Sequence, residues 1–205
     1  MKQNSFDDSL LAQFNLDRCL IAGVDEVGRG ALFGCVVAAA IVLPKSAVPQ
    51  LIALGVKDSK KLSSRQREKL IEPIKETVTS WHISCASVAE IDRLNILQAS
   101  LLAMRRSVLG LQVVPDICLV DGKFSLPDLN IPQQTVVKGD LRSPVIAAAS
   151  ILAKVWRDRA IGDFSKQYPE YDLAKNKGYP TAKHRLAIEQ HGISLHHRRS
   201  FKSCR

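Results

Sequence analysis

The sequence has 205 residues, of which 46% are hydrophobic, and this length and composition are typical of one globular domain with a substantial core. No apolar run reaches the roughly 18–20 residues that span a bilayer, and the acidic residues among the first twenty are unlike a secretory signal, so we expect a cytoplasmic protein. The five cysteines are widely spaced and form no C-x-x-C pair, which argues against a structural zinc site and a disulfide framework.

The net charge of +9 is unevenly distributed along the chain. Residues 1–137 contain 15 Lys and Arg against 14 Asp and Glu, whereas residues 138–205 contain 14 against 6. The last third therefore carries +8 of the total, which favours a polyanion such as a nucleic acid as the partner. A basic surface that only confers solubility is the alternative.

The first half of the chain predicts three strands and one helix. Residues 19–27 and 34–43 are two apolar runs joined by a short turn, a pattern typical of a β-hairpin. A capping box begins a helix over residues 63–78, in which Pro73 predicts a kink or an early stop. Apolar and polar side chains alternate over residues 81–85, which predicts a third strand with one covered face.

The second half continues with a helix over residues 95–110, strands over 116–121 and 133–138, and helices over 144–166 and 181–192. The first three strands can form an antiparallel meander, and the last two can join in parallel beside the first strand. We therefore predict an α/β fold with a mixed five-stranded sheet flanked by helices.

Three of the predicted strands end near carboxylates. Asp25 and Glu26 follow the first apolar run. Asp121 ends the fourth strand, and Asp140 follows the fifth. The predicted topology would bring these groups to one sheet edge, where they would repel one another unless they hold a hard cation such as Mg²⁺ or Mn²⁺. Adjacent residues of a strand point to opposite faces, so Asp25 and Glu26 converge only if the strand bends there. A solvated strand end without a metal is the alternative.

The acidic pair is followed at once by a Gly-Arg-Gly turn, formed by Gly28, Arg29 and Gly30. Two glycines without Cβ atoms would allow the peptide N–H groups of this turn to contact a ligand, and the arginine is suited to phosphate. A nucleotide-binding phosphate loop is disfavoured, because Gly23-x-x-x-x-Gly28 is followed by Arg-Gly rather than Lys-Ser/Thr and contains two acids. A non-catalytic nucleic-acid binder would explain the charge but not the strand-end carboxylates.

Several segments match those of a known family and occur in its order from about residue 20 to 202, nearly the whole chain. The matching segments are residues 22–30 (AGVDEVGRG), 58–62 (DSKKL), 94–96 (LNI), 120–122 (VDG), 137–140 (VKGD), 148–155 (AASILAKV), 177–180 (KGYP) and 197–201 (HRRSF). With them the sequence resembles the bacterial ribonuclease HII family, the type 2 ribonucleases H. One departure is Ala31, where the family often has proline after the Gly-Arg-Gly turn.

The resemblance implies an RNase H-like fold with additional C-terminal helices. It implies one domain over residues 1–205, with a core at about 19–165 and a basic helical extension at about 166–205. The implied activity is metal-dependent endonucleolytic cleavage of RNA in RNA–DNA hybrids, and incision 5′ of ribonucleotides embedded in duplex DNA, giving 5′-phosphate and 3′-hydroxyl ends. We expect a monomer that acts on these nucleic acids and on no membrane. A DNA nuclease or strand-transfer enzyme of the same fold is the closest alternative.

The resemblance also implies which residues are catalytic. By motif position, the metal ligands are the four strand-end carboxylates, and a pair of Mn²⁺ or Mg²⁺ ions would act together in the reaction. One ion would lower the pKa of a bound water, and the other would stabilise the departing 3′-oxygen. These ligands are Asp25, Glu26, Asp121 and Asp140.

Substrate contacts are implied in the same way. Gly28, Arg29 and Gly30 would read the ribose 2′-hydroxyl, largely through the backbone, since this hydroxyl distinguishes RNA from DNA at a given site. Tyr179 would stack on the sugar just downstream, and Lys60 would contact a substrate phosphate. A tyrosine packed into the C-terminal helices and a solvated lysine are the alternatives.

Overall fold

The computed structural model describes residues 19–56 and 62–205. The strands in this part of the chain are β1 (Leu20–Val27), β2 (Val36–Pro44), β3 (Ser80–Ala86), β4 (Ile117–Asp121) and β5 (Gln133–Val136). The α-helices are α1 (Val48–Ala53), α2 (Ser64–Thr77), α3 (Val88–Leu94), α4 (Ile96–Leu109), α5 (Gly139–Arg142), α6 (Pro144–Gln167), α7 (Leu173–Asn176) and α8 (Ala182–His191).

The strands form one mixed sheet in the order β3-β2-β1-β4-β5, which confirms the predicted topology. β1 to β3 pair as an antiparallel meander, and β4 and β5 join in parallel beside β1. One face of the sheet packs against α1, α2 and α6, and the other packs against α3 and α4. Because both faces are covered, the central strands read as continuous apolar runs. Among the helices that the structure describes, none has the length and apolarity needed to cross a membrane.

The structure differs from the sequence prediction around Asn95. The helix α3, which the sequence did not predict, ends just before this residue. It begins at a capping box that Ser87 and Glu90 form. Asn95 has a positive φ of 72° that separates the two helices, and its side chain accepts hydrogen bonds from the first N–H groups of α4. Of the two effects predicted for Pro73, a kink or an early stop, the early stop is wrong, since α2 continues to Thr77 along a face that is buried against the core.

Helix α6 lies directly on β1 and supplies side chains to the site described below. A Cβ atom on Gly23 would lie only 2.7 Å from the main-chain carbon of Val145, so glycine is needed for this close approach. The approach brings three polar residues of α6 up to the end of β1. These residues are Ser150, Lys154 and Arg157.

An aromatic cluster docks the C-terminal segment against the connection between β1 and β2. Phe33 is fully buried at its centre. Its ring meets those of Phe164 and His197 edge to face, with centroid separations of 5.6 and 5.1 Å. The backbone is joined as well, because the Gly34 N–H donates to the carbonyl of His196 at 2.8 Å. The C-terminal segment is therefore part of the structure that surrounds the Gly-Arg-Gly turn.

Two buried histidines connect this cluster to Tyr179. The Ser194 N–H donates to Nδ1 of His197, so the proton of the His197 ring must lie on Nε2. This Nε2 donates to Nε2 of His184 at 3.1 Å, and Nδ1 of His184 then donates to the Tyr179 carbonyl at 3.0 Å. Both rings are neutral in this arrangement, because an added proton would face an N–H group at either histidine. Burial lowers the pKa of both rings, that of His197 to about 4.

We expect this pair to make the protein less stable as the pH falls from about 6.5 to about 4. The unfolded chain binds protons at both histidines in that window, whereas the folded chain excludes them. The free energy of unfolding therefore decreases as the pH decreases. The contribution should be about 1–3 kcal/mol at the acid end. Urea unfolding at several pH values should show that His197→Gln reduces this dependence.

The exposed His191 offers a matched control for the histidine variant. His191→Gln should leave the pH dependence of the urea midpoint as it is in the wild type. Equal pH dependence in wild type and His197→Gln would contradict the role of the buried pair.

Candidate active site

Asp25 and Asp121 lie beside each other on neighbouring parallel strands. Gly23 of β1 pairs with Leu119 of β4, and the next residues of the two strands are paired in the same register. The two aspartates each lie two residues further along their strand, so they are side by side. Side chains two residues apart share a face, which here is the face covered by α6. Ser150 of α6 accordingly forms a hydrogen bond with Asp25.

Glu26 completes a cluster of three carboxylates. Oxygens of Asp25, Glu26 and Asp121 all lie within 4.8 Å of one another. β1 stays paired with β2 through Val27, so the longer glutamate side chain reaches the cluster without a bulge in the strand. Its Oε1 accepts a hydrogen bond from Nη1 of Arg29 at 3.1 Å, which ties the Gly-Arg-Gly turn to the cluster.

Asp140 approaches the cluster from the short helix α5. Lys138 has a left-handed backbone conformation, with φ 56°, and this turns the chain from β5 into α5. The N–H of Gly139 donates to Oδ1 of Asp121 at 2.6 Å, so the same turn orients one carboxylate of the cluster and places Asp140 next to it. Asp140 is buried and lines the same cleft as the other three carboxylates.

The electrostatics of the cluster favour a bound cation. Burial raises the pKa of Asp25 well above its usual range, and the neighbouring Glu26 and Asp121 raise it further. Burial also raises the pKa of Glu26, although Arg29 opposes this effect. Oε2 of Glu26 is buried and has no hydrogen-bond partner among the described residues. Close carboxylate oxygens with an unmet need for positive charge fit a hard divalent cation such as Mg²⁺ or Mn²⁺.

The carboxylates lie in a cleft of about 350 Å³. Tyr179 lines this cleft together with Arg67 and Lys154. The ammonium of Lys154 pairs with Asp158 at 2.8 Å and lies 5.8 Å from the centre of the Tyr179 ring. The cleft therefore combines acidic, basic and aromatic groups, which is a suitable setting for a phosphodiester beside metal ions.

The Gly-Arg-Gly turn borders the cleft next to Tyr179. Gly28 is buried with a positive φ of 93°, whereas Arg29 and Gly30 are exposed. A Cβ atom on Gly30 would lie 4.0 Å from Cε1 of Tyr179, so the aromatic ring lies next to the turn. The predicted phosphate contact Lys60 lies outside the described residues.

Three residues that line this cleft have no role predicted from the sequence. Ser150 and Lys154 are four residues apart on α6, and polar side chains at that spacing on an otherwise apolar helix face are a signal that could have indicated the site. Arg67 has no such signal, because it is one of several basic residues on the polar helix α2. His197, in contrast, is a structural residue of the aromatic cluster.

Comparisons with known proteins agree on one family. A model of the ribonuclease HII family matches residues 22–204. A ribonuclease HII of Acaryochloris marina is 60% identical over 184 residues, which cover 90% of this chain and 93% of that protein. One of Vibrio parahaemolyticus is 52% identical over 183 residues, covering 89% and 84%. The crystal structure of ribonuclease H2 from Pyrococcus horikoshii OT3 has a TM-score of 0.77 and 27% identity, covering 90% of this chain and 95% of that one.

We expect Asp121→Asn to weaken Mn²⁺ binding at least roughly tenfold. Removing even a residue that only hydrogen-bonds to a metal ligand typically costs about that much affinity, and Asp121 is a proposed ligand itself. The melting temperature without metal should stay the same or rise. Asparagine keeps an acceptor for the Gly139 N–H but removes one charge from a repulsive cluster. Calorimetric titration with Mn²⁺ and thermal unfolding measure the two effects.

Asp163→Asn is a suitable control for this variant, because Asp163 is an exposed carboxylate on α6. It should bind Mn²⁺ as the wild type does. An Asp121→Asn protein with wild-type affinity for Mn²⁺ would show that the cluster is not the metal site.

Proposed function

We propose a substrate and products for this chain from the premise that it belongs to the ribonuclease HII family. Family membership makes it an endonuclease of the ribonuclease H class, a metal-dependent hydrolase that cleaves RNA in RNA–DNA hybrids. Beyond this activity, we propose that it incises duplex DNA on the 5′ side of a single embedded ribonucleotide and leaves 5′-phosphate and 3′-hydroxyl ends.

The observation that carries this proposal is the position of Tyr179, which lines the carboxylate cleft and lies next to the exposed Gly-Arg-Gly turn. Peptide N–H groups of the turn can bind a ribose 2′-hydroxyl, the group that distinguishes RNA from DNA. The Tyr179 ring can pack flat on a deoxyribose and would crowd a ribose in the same position. A turn on one side and a ring on the other would therefore select an RNA-to-DNA step across the scissile phosphate.

The proposed catalytic residues are the four carboxylates of the cleft. When bound there, Mn²⁺ or Mg²⁺ ions would supply an activated water for attack on phosphorus and stabilise the departing 3′-oxygen. The chain orients the ligands beforehand, because the Gly139 N–H holds Asp121 and Ser150 holds Asp25. The proposed ligands are Asp25, Glu26, Asp121 and Asp140.

Basic side chains beside the carboxylates support binding of a nucleic-acid backbone. Arg67 and Lys154 line the cleft, and Lys177 lies two positions before Tyr179. Their charge would keep the phosphates of the substrate close to an otherwise acidic site. The chain is thus suited to hold a duplex across the cleft while the carboxylates act on one phosphodiester.

Cleavage of a DNA duplex that contains one ribonucleotide tests the proposal. With Mn²⁺ or Mg²⁺, the wild-type protein should cut on the 5′ side of the ribonucleotide, and an all-DNA duplex of the same sequence should stay intact. Asp121→Asn should slow the cut on the order of 1000-fold or more, because the reaction loses charge stabilisation worth several kcal/mol. End-labelled strands resolved beside size markers give both the position of the cut and the chemistry of the ends.

Two outcomes of this experiment would contradict the proposal in different ways. Cutting of the all-DNA duplex would make the protein a DNA nuclease. Cleavage of a uniform RNA–DNA hybrid, with none at the single ribonucleotide, would leave the family activity intact and remove the proposed substrate.

Tyr179→Ala should lower the rate on the single-ribonucleotide duplex relative to the uniform hybrid by roughly tenfold, since the ring positions the scissile phosphate at a DNA sugar. Tyr179→Phe should keep the wild-type ratio, because the stacking face of the ring remains. Initial rates on the two substrates give the ratio, and thermal unfolding is measured for each variant. A lower melting temperature with an unchanged ratio in Tyr179→Ala would mean that the ring is only a packing residue.

A further inference from the structure

Two arginines, Arg157 and Arg198, are completely buried beneath the Gly-Arg-Gly turn and Tyr179. Within residues 19–56 and 62–205, neither forms a salt bridge with a carboxylate, and both donate to main-chain carbonyls instead. Burial lowers the pKa of both guanidinium groups, that of Arg198 to about 9. Arginine nevertheless keeps its charge in proteins at neutral pH. Burying two cations is unfavourable, and the main-chain carbonyls that accept their N–H groups offset part of that cost.

Arg157 joins two segments that are far apart in the sequence. Its Nη1 donates to the Lys177 carbonyl at 2.9 Å, just before Tyr179. Its Nη2 and Nε donate to the carbonyls of Phe33 and Cys35 at 3.1 and 3.4 Å, just after the Gly-Arg-Gly turn. One rigid guanidinium therefore fixes the distance between the segment that carries the tyrosine and the segment that carries the turn.

Two glycines allow these segments to approach so closely. Gly28 packs on the side chain of Arg157, and a Cβ atom there would collide with the guanidinium. A Cβ atom on Gly178 would lie 2.9 Å from the Phe33 carbonyl oxygen. The Gly178 carbonyl in turn accepts the Leu32 N–H at 2.8 Å. Both glycines have positive φ, 93° and 82°, which other residues adopt only with strain.

Arg198 holds the turn itself. Its Nη1 donates to the Arg29 carbonyl and its Nε to the Gly34 carbonyl, each at 2.9 Å. In a trans peptide the carbonyl and the next N–H point in opposite directions. Because Arg198 draws the Arg29 carbonyl inward, the N–H of Gly30 is directed away from the protein core. That is the orientation a substrate-reading N–H group requires.

We propose that Arg157 and Arg198 are positioning residues that hold the Gly-Arg-Gly turn and Tyr179 in one fixed relation and thereby set the preference for an RNA-to-DNA step. This inference rests on the proposed function of the turn and Tyr179. Arg198 determines which way the peptide after Arg29 faces, and Arg157 determines how far Tyr179 lies from it. Neither arginine contacts the carboxylate cluster in the described structure. Asp25 and Asp121 are held by Ser150 and the Gly139 N–H, so we expect metal binding to survive substitution of either arginine.

Lysine is the informative replacement at both positions. Arginine presents five N–H donors in a planar fork, whereas lysine presents a single ammonium on a flexible stem. Arg157→Lys and Arg198→Lys keep the positive charge but cannot reach carbonyls of two segments at once. The variants therefore separate the geometry of the guanidinium from its charge.

We expect each lysine variant to lower kcat on the single-ribonucleotide duplex by about 10- to 100-fold, with a smaller effect on the uniform hybrid, because sub-ångström displacement of a positioned phosphate is costly. KM should change little, and Mn²⁺ affinity should stay within about twofold of the wild type, since the carboxylates are held by other elements. Steady-state kinetics on both substrates and calorimetric titration with Mn²⁺ give these values.

Arg106→Lys is the matched control. Arg106 lies on α4 across the sheet, where it also donates to a main-chain carbonyl, that of Cys85 at 3.0 Å, and to Glu90. This variant should lower the melting temperature without changing the ratio of the two rates. Arg157→Lys and Arg198→Lys proteins with a lower melting temperature but the wild-type ratio would overturn the inference.

Gly178→Ala provides a second test if a lysine variant fails to fold. The added Cβ atom would push the Tyr179 segment away from Phe33 while both arginines remain. An unchanged ratio in this variant would also overturn the inference.

The proposed function fails separately, when the wild type itself does not cut at a single ribonucleotide. If the ratio of the two rates changes in Tyr179→Ala but not in the lysine variants, the role proposed for the two arginines is wrong and the proposed function still holds.

Discussion

The proposed site depends on a fold that holds Asp25 and Asp121 side by side in spite of their mutual repulsion. β1 has hydrogen-bonded neighbours on both sides and α6 on one face, so Asp25 cannot move away from its partner. The helix also excludes water, which raises the pKa of Asp25 and strengthens the repulsion. The N–H groups of Glu26 and Gly139 donate to these two carboxylates and fix their orientation. The folded chain is thus prepared for a cation before the cation arrives.

The two halves of the proposed site obtain their rigidity from different sources. Asp25, Glu26 and Asp121 are fixed by strand register, which is a property of the central sheet. The Gly-Arg-Gly turn and Tyr179 lie outside the sheet and are fixed by α6 and the C-terminal segment, through Arg157, Arg198 and the aromatic cluster. A substitution can therefore disturb substrate selection and leave metal binding intact, or the reverse.

Most of the sheet could be predicted from the sequence, because apolar runs and alternation are local patterns, and so could the meeting of three strand ends that carry acids. The pairing of Asp25 with Asp121 could not, since register is decided between strands that are far apart in the chain. The break at Asn95 depends on one residue with positive φ, which the apolar periodicity of α4 does not indicate. Arg157 and Arg198 are part of a basic C-terminal third, and only the packed structure distinguishes a buried guanidinium from an exposed one.

The hydrogen bond between Arg198 and the Arg29 carbonyl joins residues 169 positions apart, and this separation has a consequence for biosynthesis. A ribosome releases the β1–β2 hairpin early, and domains assemble as the chain emerges. The turn at the tip of that hairpin can be fixed only after Arg198 has been synthesised, because the loop that this hydrogen bond closes spans most of the protein. The four carboxylates all precede α6, so a nascent chain contains every proposed metal ligand before it contains Tyr179 or Arg198. The proposed selectivity for an RNA-to-DNA step is thus the last property that the growing polypeptide would acquire.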